Sequence, residues 1–251
     1  MTTQALLEVR NLRKAFGGVV AVADVSFAVS PGELVALIGP NGAGKTTCFN
    51  LINGQLAPDS GTIRLGGISI AGLPPQRVAA LGVGRTFQTA AVFASMSVRE
   101  NVQLALIAHG GEQWRLTTRA GSAHIDQADA LLARVGTSAL AEDTCATLAY
   151  GDLKRVELAV ALASSPRLLL MDEPTAGTAP GDRAQLMRLT SSLVRSDGMA
   201  ALFTEHDMDV VFEHADRVIV LDRGAIIAQG LPREVRSDPR AQAAYFGDAV
   251  T

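Results

Sequence analysis

At 251 residues, 48% of them hydrophobic and 19% charged, the chain can bury a large core and is too apolar to stay disordered. Its net charge of −3, with acids and bases interspersed, offers no basic field for nucleic acid. The two cysteines, Cys48 and Cys145, make neither a disulfide framework nor a metal-ligand spacing, and suit a reducing compartment.

The opening residues lack the basic start and long apolar stretch of a signal peptide. No apolar run reaches the roughly 18–20 residues of a membrane span, so a partner is expected to hold the chain at any membrane. Leu6–Val9, Val19–Val22 and Val25–Val29 are rich in β-branched residues and predict strands. Glu33–Ile38 is a further apolar strand. It runs into Gly39-Pro40-Asn41-Gly42-Ala43-Gly44-Lys45-Thr46-Thr47, after which Thr47–Ile52 predicts the start of a helix.

The first eight of those residues, Gly39–Thr46, fit the pattern G-x-x-x-x-G-K-[ST]. Glycines there let successive N–H groups turn inward toward phosphate oxygens, and the helix N-terminus adds its positive dipole. Lys45 would reach the β- and γ-phosphates, and the Thr46 hydroxyl would complete a Mg²⁺ shell. The alternative, a Gly-rich turn with no ligand, is disfavoured by the strand–loop–helix context. The loop therefore predicts a bound nucleoside triphosphate.

Gly61–Gly67 predicts a strand after a turn at Pro58–Gly61, and Gly84-Arg85-Thr86-Phe87-Gln88 is a strand-like run. The Gln88 amide could bind Mg²⁺ or water and act as a hinge, or close the strand as a plain boundary residue. Ser97–His109, Ile125–Val135 and Asp152–Ala163 have helical periodicity. Trp114, in the Gly110–Ala123 joint, is expected to be a local packing anchor. Leu168–Met171, Ala200–Thr204 and Val218–Leu221 are short apolar strands separated by helical patterns, which implies parallel strands. The expected fold is α/β. Residues 1–88 and 166–251 would form a nucleotide-binding core with a mostly parallel sheet and an N-terminal antiparallel layer. Residues 89–165 would form an inserted helical subdomain.

The strand at Leu168 ends in Asp172-Glu173, at the sheet edge that serves the phosphate loop. Asp172 is placed to hold Mg²⁺, and Glu173 to accept a proton from, or orient, an attacking water. His206 follows another apolar strand at the same edge, where it could contact the γ-phosphate and polarise that water. Two solvated carboxylates and an exposed histidine are the bland alternative, which the phosphate loop outweighs.

The order of phosphate loop, Gln88, Leu148-Ala149-Tyr150-Gly151-Asp152, Asp172-Glu173 and His206 resembles an ATP-binding-cassette ATPase over almost the whole chain. The resemblance implies that Phe16 stacks on adenine. It implies a head-to-tail dimer in which Leu148–Asp152 serves as the signature motif for ATP on the partner subunit. Gly39–Gly54, Arg85–Gln88, Leu148–Gly151, Glu205–Met208 and Ala244–Gly247 look like importer subunits for branched-chain amino acids; Arg85–Gln88 favours the first of their two paralogous ATPases. That family implies ATP and Mg²⁺ as cofactors, a second ATPase subunit, two transmembrane permeases, an indirect solute-binding protein and no nucleic acid. It implies a peripheral position on the cytoplasmic face of the membrane. Phe93, Met96, Val98 and the helix from Arg99 would border the groove that receives a permease helix, with ordinary core as the alternative for Phe93 and Met96. Relatives carrying urea, amides or other amino acids remain open, as do a soluble cassette acting on DNA or ribosomes and a non-hydrolysing regulatory subunit.

Two departures stand out. Ala149 replaces the usual signature Ser, where Asp152 also replaces Gln or Glu, and Ala179 replaces the usual Asp or Asn. Both predict an asymmetric pair of ATP sites.

Overall fold

The computed structural model describes residues 5–86, 91–110 and 123–245. In chain order these form β1 (Leu7–Phe16), β2 (Val19–Val29), β3 (Leu34–Ile38), α1 (Lys45–Ile52), β4 (Ser60–Leu65), β5 (Ile68–Ser69), α2 (Pro75–Ala80) and β6 (Val83–Thr86). Then come α3 (Val98–His109), α4 (Ile125–Val135), α5 (Tyr150–Leu162), β7 (Leu168–Asp172), α6 (Pro180–Asp197) and β8 (Ala200–Thr204). The chain closes with α7 (Met208–His214), β9 (Arg217–Asp222), β10 (Ala225–Gly230), α8 (Pro232–Ser237) and α9 (Pro239–Tyr245). Gln88, Phe87, Trp114 and the terminal Phe246-Gly247 lie outside the described residues.

Two sheets result. One is antiparallel, in the order β2-β1-β4-β5; the other runs β10-β9-β3-β8-β7-β6, parallel except for β10 on β9. The core follows from the two-residue period of a strand. Val35 and Leu37 of β3, Leu168 and Leu170 of β7 and Leu202 of β8 face α1 and the antiparallel layer. Their neighbours Ala36 and Ile38, Leu169 and Met171, and Phe203 face the helices α3 to α6. Strands buried on both faces read as unbroken apolar runs, which is why β3, β7 and β8 stand out in the sequence.

The antiparallel layer departs from expectation. The strands predicted at Val19–Val22 and Val25–Val29 are one strand, and β1 continues past Val9 to Phe16. The cause is a bulge in which Asn11 (φ 49°) and Asp24 (φ 58°) both adopt the left-handed conformation, with Asn11 Nδ2 donating to Asp24 Oδ1 at 2.7 Å. Asn and Asp tolerate that region, and their polarity breaks the apolar alternation without ending the strand. The strand predicted to Gly67 stops at Leu65, because Gly66 and Gly67 (φ 53° and 84°) turn the chain into β5. Helix α3 starts at a capping box: Ser97 Oγ accepts from Glu100 N at 3.2 Å, and Glu100 Oε2 accepts from Ser97 N at 2.8 Å.

Candidate active site

Three strands deliver the site. β3 leads into the glycine loop and α1, β7 ends at Asp172, and β8 leads into Glu205-His206; β8 lies between β3 and β7 in the sheet. Their carboxyl ends therefore meet at one edge, the usual position for a ligand in an open α/β sheet. A cavity of about 200 Å³ opens there, lined by Ala21, Asn41 to Thr47, Asp172, Glu173 and His206.

The loop is shaped by close backbone approach. Gly39 has φ 155°, and a Cβ there would sit 2.2 Å from Leu221 O. Gly44 has φ 103° and heads α1; its Cβ would sit 2.3 Å from Ala21 O. Gly44→Ala is expected to cost about 1–3 kcal/mol of stability through the strained φ alone. Urea unfolding checks this, and a wild-type midpoint would show that the loop yields freely.

The Lys45 ammonium is folded into this loop, donating to Gly39 O at 2.5 Å and Pro40 O at 3.1 Å. Burial lowers its pKa, and the nearby carboxylates of Glu173 and Asp172 work against that shift. A buried cation, held by two backbone carbonyls, thus sits in a glycine-rich loop next to the first turn of a helix. That arrangement suits a polyanion.

The carboxylates opposite are held individually. Asp172 Oδ1 accepts from Thr204 Oγ1 at 2.7 Å, and Asp172 Oδ2 lies 3.5 Å from Arg85 Nη2. Arg85 is itself anchored by Asn50 Oδ1 at 2.8 Å and Gln55 Oε1 at 3.1 Å. Glu173 has φ 48°, a costly conformation for a residue with a side chain. Its N–H donates to Thr204 O and Thr204 Oγ1, both at 3.1 Å, which holds the turn. Glu173 Oε1 lies 2.9 Å from His206 Nε2.

The donor set fits Mg²⁺ in one respect that can be tested on the chain alone. Thr46 and Asp172 supply hard oxygen ligands on the same cavity wall. Among the described residues no group of three or more His, Cys, Asp or Glu could hold a metal ion. Mg²⁺ commonly binds through one or two carboxylates together with phosphate oxygens, so Thr46 and Asp172 could hold it beside a triphosphate.

The other expected site residues lie elsewhere. Phe16 ends β1 and is 47% exposed, with Lys14 Nζ 5.6 Å from its ring centre. It is no core residue, and it stands outside the cavity lining. Leu148–Asp152 is also outside the lining: Ala149 is the N-cap of α5 and gives no side-chain cap, Tyr150 is 39% exposed, and Asp152 pairs with Arg155 at 3.0 Å. Helix α5 begins at Tyr150, two residues before the periodicity starts. Phe93 is 59% exposed, which excludes the core alternative for it, whereas Val98 is fully buried.

Sequence reasoning missed Thr204 and the Arg85–Asp172 pair. Thr204 could have been noticed as a hydroxyl at the end of an apolar strand. The Arg85 pairing spans 87 positions and leaves no local signal. A wider cleft, about 700 Å³, lies at the opposite ends of the strands beside Leu6, Leu106, Arg134, Arg167 and Met199, and holds none of these groups.

Residues 22–176 match the family model "ABC transporter", and residues 225–251 match "Branched-chain amino acid ATP-binding cassette transporter". The chain is 39% identical to the high-affinity branched-chain amino acid transport ATP-binding protein LivG of Escherichia coli, over 98% of this chain and all of that one. The chain belongs to the ABC transporter ATP-binding family. The cassette is also 37% identical to the lipopolysaccharide export system ATP-binding protein LptB of Acidithiobacillus ferridurans, over 97% of each. Among solved structures, the ADP conformation of an ABC transporter's ATP-binding cassette superposes with a TM-score of 0.88 at 31% identity, covering 98% of this chain and all of that one. The α/β cassette expected from sequence is the fold observed. No helix among the described residues is long and apolar enough to cross a membrane.

Proposed function

We propose that this cassette is the ATP-hydrolysing subunit of an importer for branched-chain amino acids. The observation that carries the reading is the convergence of Lys45, Asp172, Glu173 and His206 on one cavity, with the His206–Glu173 contact at 2.9 Å. Asn41 to Thr47 would bind the phosphates through backbone N–H groups and Lys45. Mg²⁺, held by Thr46, Asp172 and Gln88 with the phosphates, would neutralise charge developing on the transferred group. Glu173 would take the proton of the attacking water, and His206 would fix Glu173 and face the γ-phosphate. Phe16 would stack on adenine, for which its exposure at the end of β1 leaves it available.

The Leu148–Asp152 segment would complete the partner's site in a head-to-tail pair with a second ATPase subunit, at the cytoplasmic face of the membrane. Two permeases would dock on residues 89–165 beside exposed Phe93, which Asn101 holds by its backbone (Phe93 N to Asn101 Oδ1, 2.7 Å). A solute-binding protein would feed the permeases. Importer rather than exporter is supported by the LivG likeness and by the match at residues 225–251.

The test is turnover of the co-expressed assembly in vesicles. ATPase activity should rise severalfold with binding protein loaded with leucine, isoleucine or valine. Stimulation only by urea or short amides would overturn the choice of solute.

A further inference from the structure

Glu205 is 3% exposed, yet it carries a carboxylate beside the hydrolytic pair. Its Oε1 accepts from Thr175 N at 2.8 Å and from Thr175 Oγ1 at 2.7 Å, and its Oε2 from His206 N at 3.3 Å. Burial raises its pKa, and these three bonds oppose the shift. Every partner is a donor, so an all-acceptor group is what this position needs; an amide would turn a second donor toward His206 N.

Thr175 belongs to the turn that follows Glu173. Ala176 N donates to Glu173 O at 3.1 Å, and Thr178 Oγ1 donates to Thr175 O at 2.7 Å. A second tie lies one residue beyond His206: Asp207 accepts from Arg183 Nη1 at 2.7 Å, and Arg183 Nε donates to Thr178 O at 2.9 Å. His206 is therefore flanked by two residues that both grip the 173–178 turn. A strained φ such as that of Glu173 persists only where its surroundings over-determine it.

We infer that Glu205 is a positioning residue for ATP hydrolysis: its buried carboxylate locks the backbone of His206 to the turn after Glu173 and so sets the His206–Glu173 pair. The inference rests on the hydrolytic reading above and adds to it a buried residue that stands outside the cavity lining.

The test compares Glu205→Ala, Glu205→Gln, Thr175→Val, His206→Ala and the Glu205→Ala/His206→Ala double variant in the full assembly. The partner subunit's counterpart of Glu173 is changed to Gln, so that turnover reports this site. Glu205→Ala is expected to lower kcat by about 100-fold, the scale of a misplaced catalytic group, while the ATP Kd stays within about threefold. Glu205→Gln, which keeps a neutral acceptor for Thr175, should recover about tenfold of that loss, in line with one ordinary hydrogen bond. Thr175→Val covers the case in which Glu205→Ala does not fold, and should lower kcat with ATP affinity retained. The double variant should be no slower than His206→Ala alone, since a positioning residue has nothing left to position. Losses that multiply in the double variant, or an ATP Kd that weakens in step with kcat, would overturn the inference and leave the hydrolytic reading intact. Full turnover in His206→Ala would overturn both.

Discussion

Lys45→Ala is expected to weaken nucleotide binding by about 10²- to 10⁴-fold. The ammonium lies inside a ring of backbone groups, 2.5 Å from Gly39 O and 3.1 Å from Pro40 O, at the first residue of α1. Two charge-assisted bonds to phosphate at about 1.5–3 kcal/mol each amount to about 3–6 kcal/mol. At about 1.4 kcal/mol per decade, Kd should rise by about 10²- to 10⁴-fold. Repulsion adds to this, because Asp172 and Glu173 would face the triphosphate without the cation that offsets them. The folded chain should survive, since burial disfavours the charged lysine and alanine removes that cost. Titration with a fluorescent ATP analogue, alongside a thermal melt, separates the two effects. An unchanged Kd would remove the phosphate loop from the mechanism.

The parts of this site that could be read from sequence are those set by local chain geometry. Gly39–Thr47 owes its shape to φ angles and close approaches within one loop, and glycine spacing records both. The apolar runs of β3, β7 and β8 mark double burial, and the residues just past them mark the functional edge. What stayed hidden depends on chain distant in sequence. Arg85 reaches Asp172 across the pairing of β6 with β7, and Thr204 reaches the same carboxylate because β8 lies beside β7. Strand order is a long-range property, and no spacing announces it. The antiparallel layer was misdivided for the reverse reason, since the polar residues Asn11 and Asp24 look like a break although they sit inside a continuous pairing.

Glu173→Gln should leave ATP bound and nearly stop hydrolysis at this site. Glutamine keeps the length of the side chain and an acceptor or donor for His206 Nε2, now 2.9 Å away, but it cannot take a proton from water. Removing a general base costs about 10²–10⁴-fold in rate, so single-turnover release of phosphate should fall by that factor while the ATP Kd holds. In the proposed head-to-tail pair ATP would favour the closed dimer over the open one, so the variant should accumulate as a nucleotide-bound pair, visible by size-exclusion chromatography. In the proposed pair the opposite site would be served by this chain's α5, where the asymmetry is expected to arise. Ala149 and Ala179 are the N-caps of α5 and α6, and neither helix start has a side-chain cap. Each alanine therefore removes both a cap, worth about 1 kcal/mol, and a polar group at a helix end that faces the dimer partner in the proposed assembly. For the site that Ala149 serves, a lost charge-assisted bond of about 1.5–3 kcal/mol corresponds to about ten- to a hundredfold in rate. Glu173→Gln should hence reduce total turnover far more than the same change in the second subunit, and Ala149→Ser should narrow that gap by accelerating the slow site. Equal losses from the two Glu→Gln changes would mean that the N–H groups at the start of α5 bind the γ-phosphate without help from a hydroxyl, and the asymmetry would then have to be abandoned.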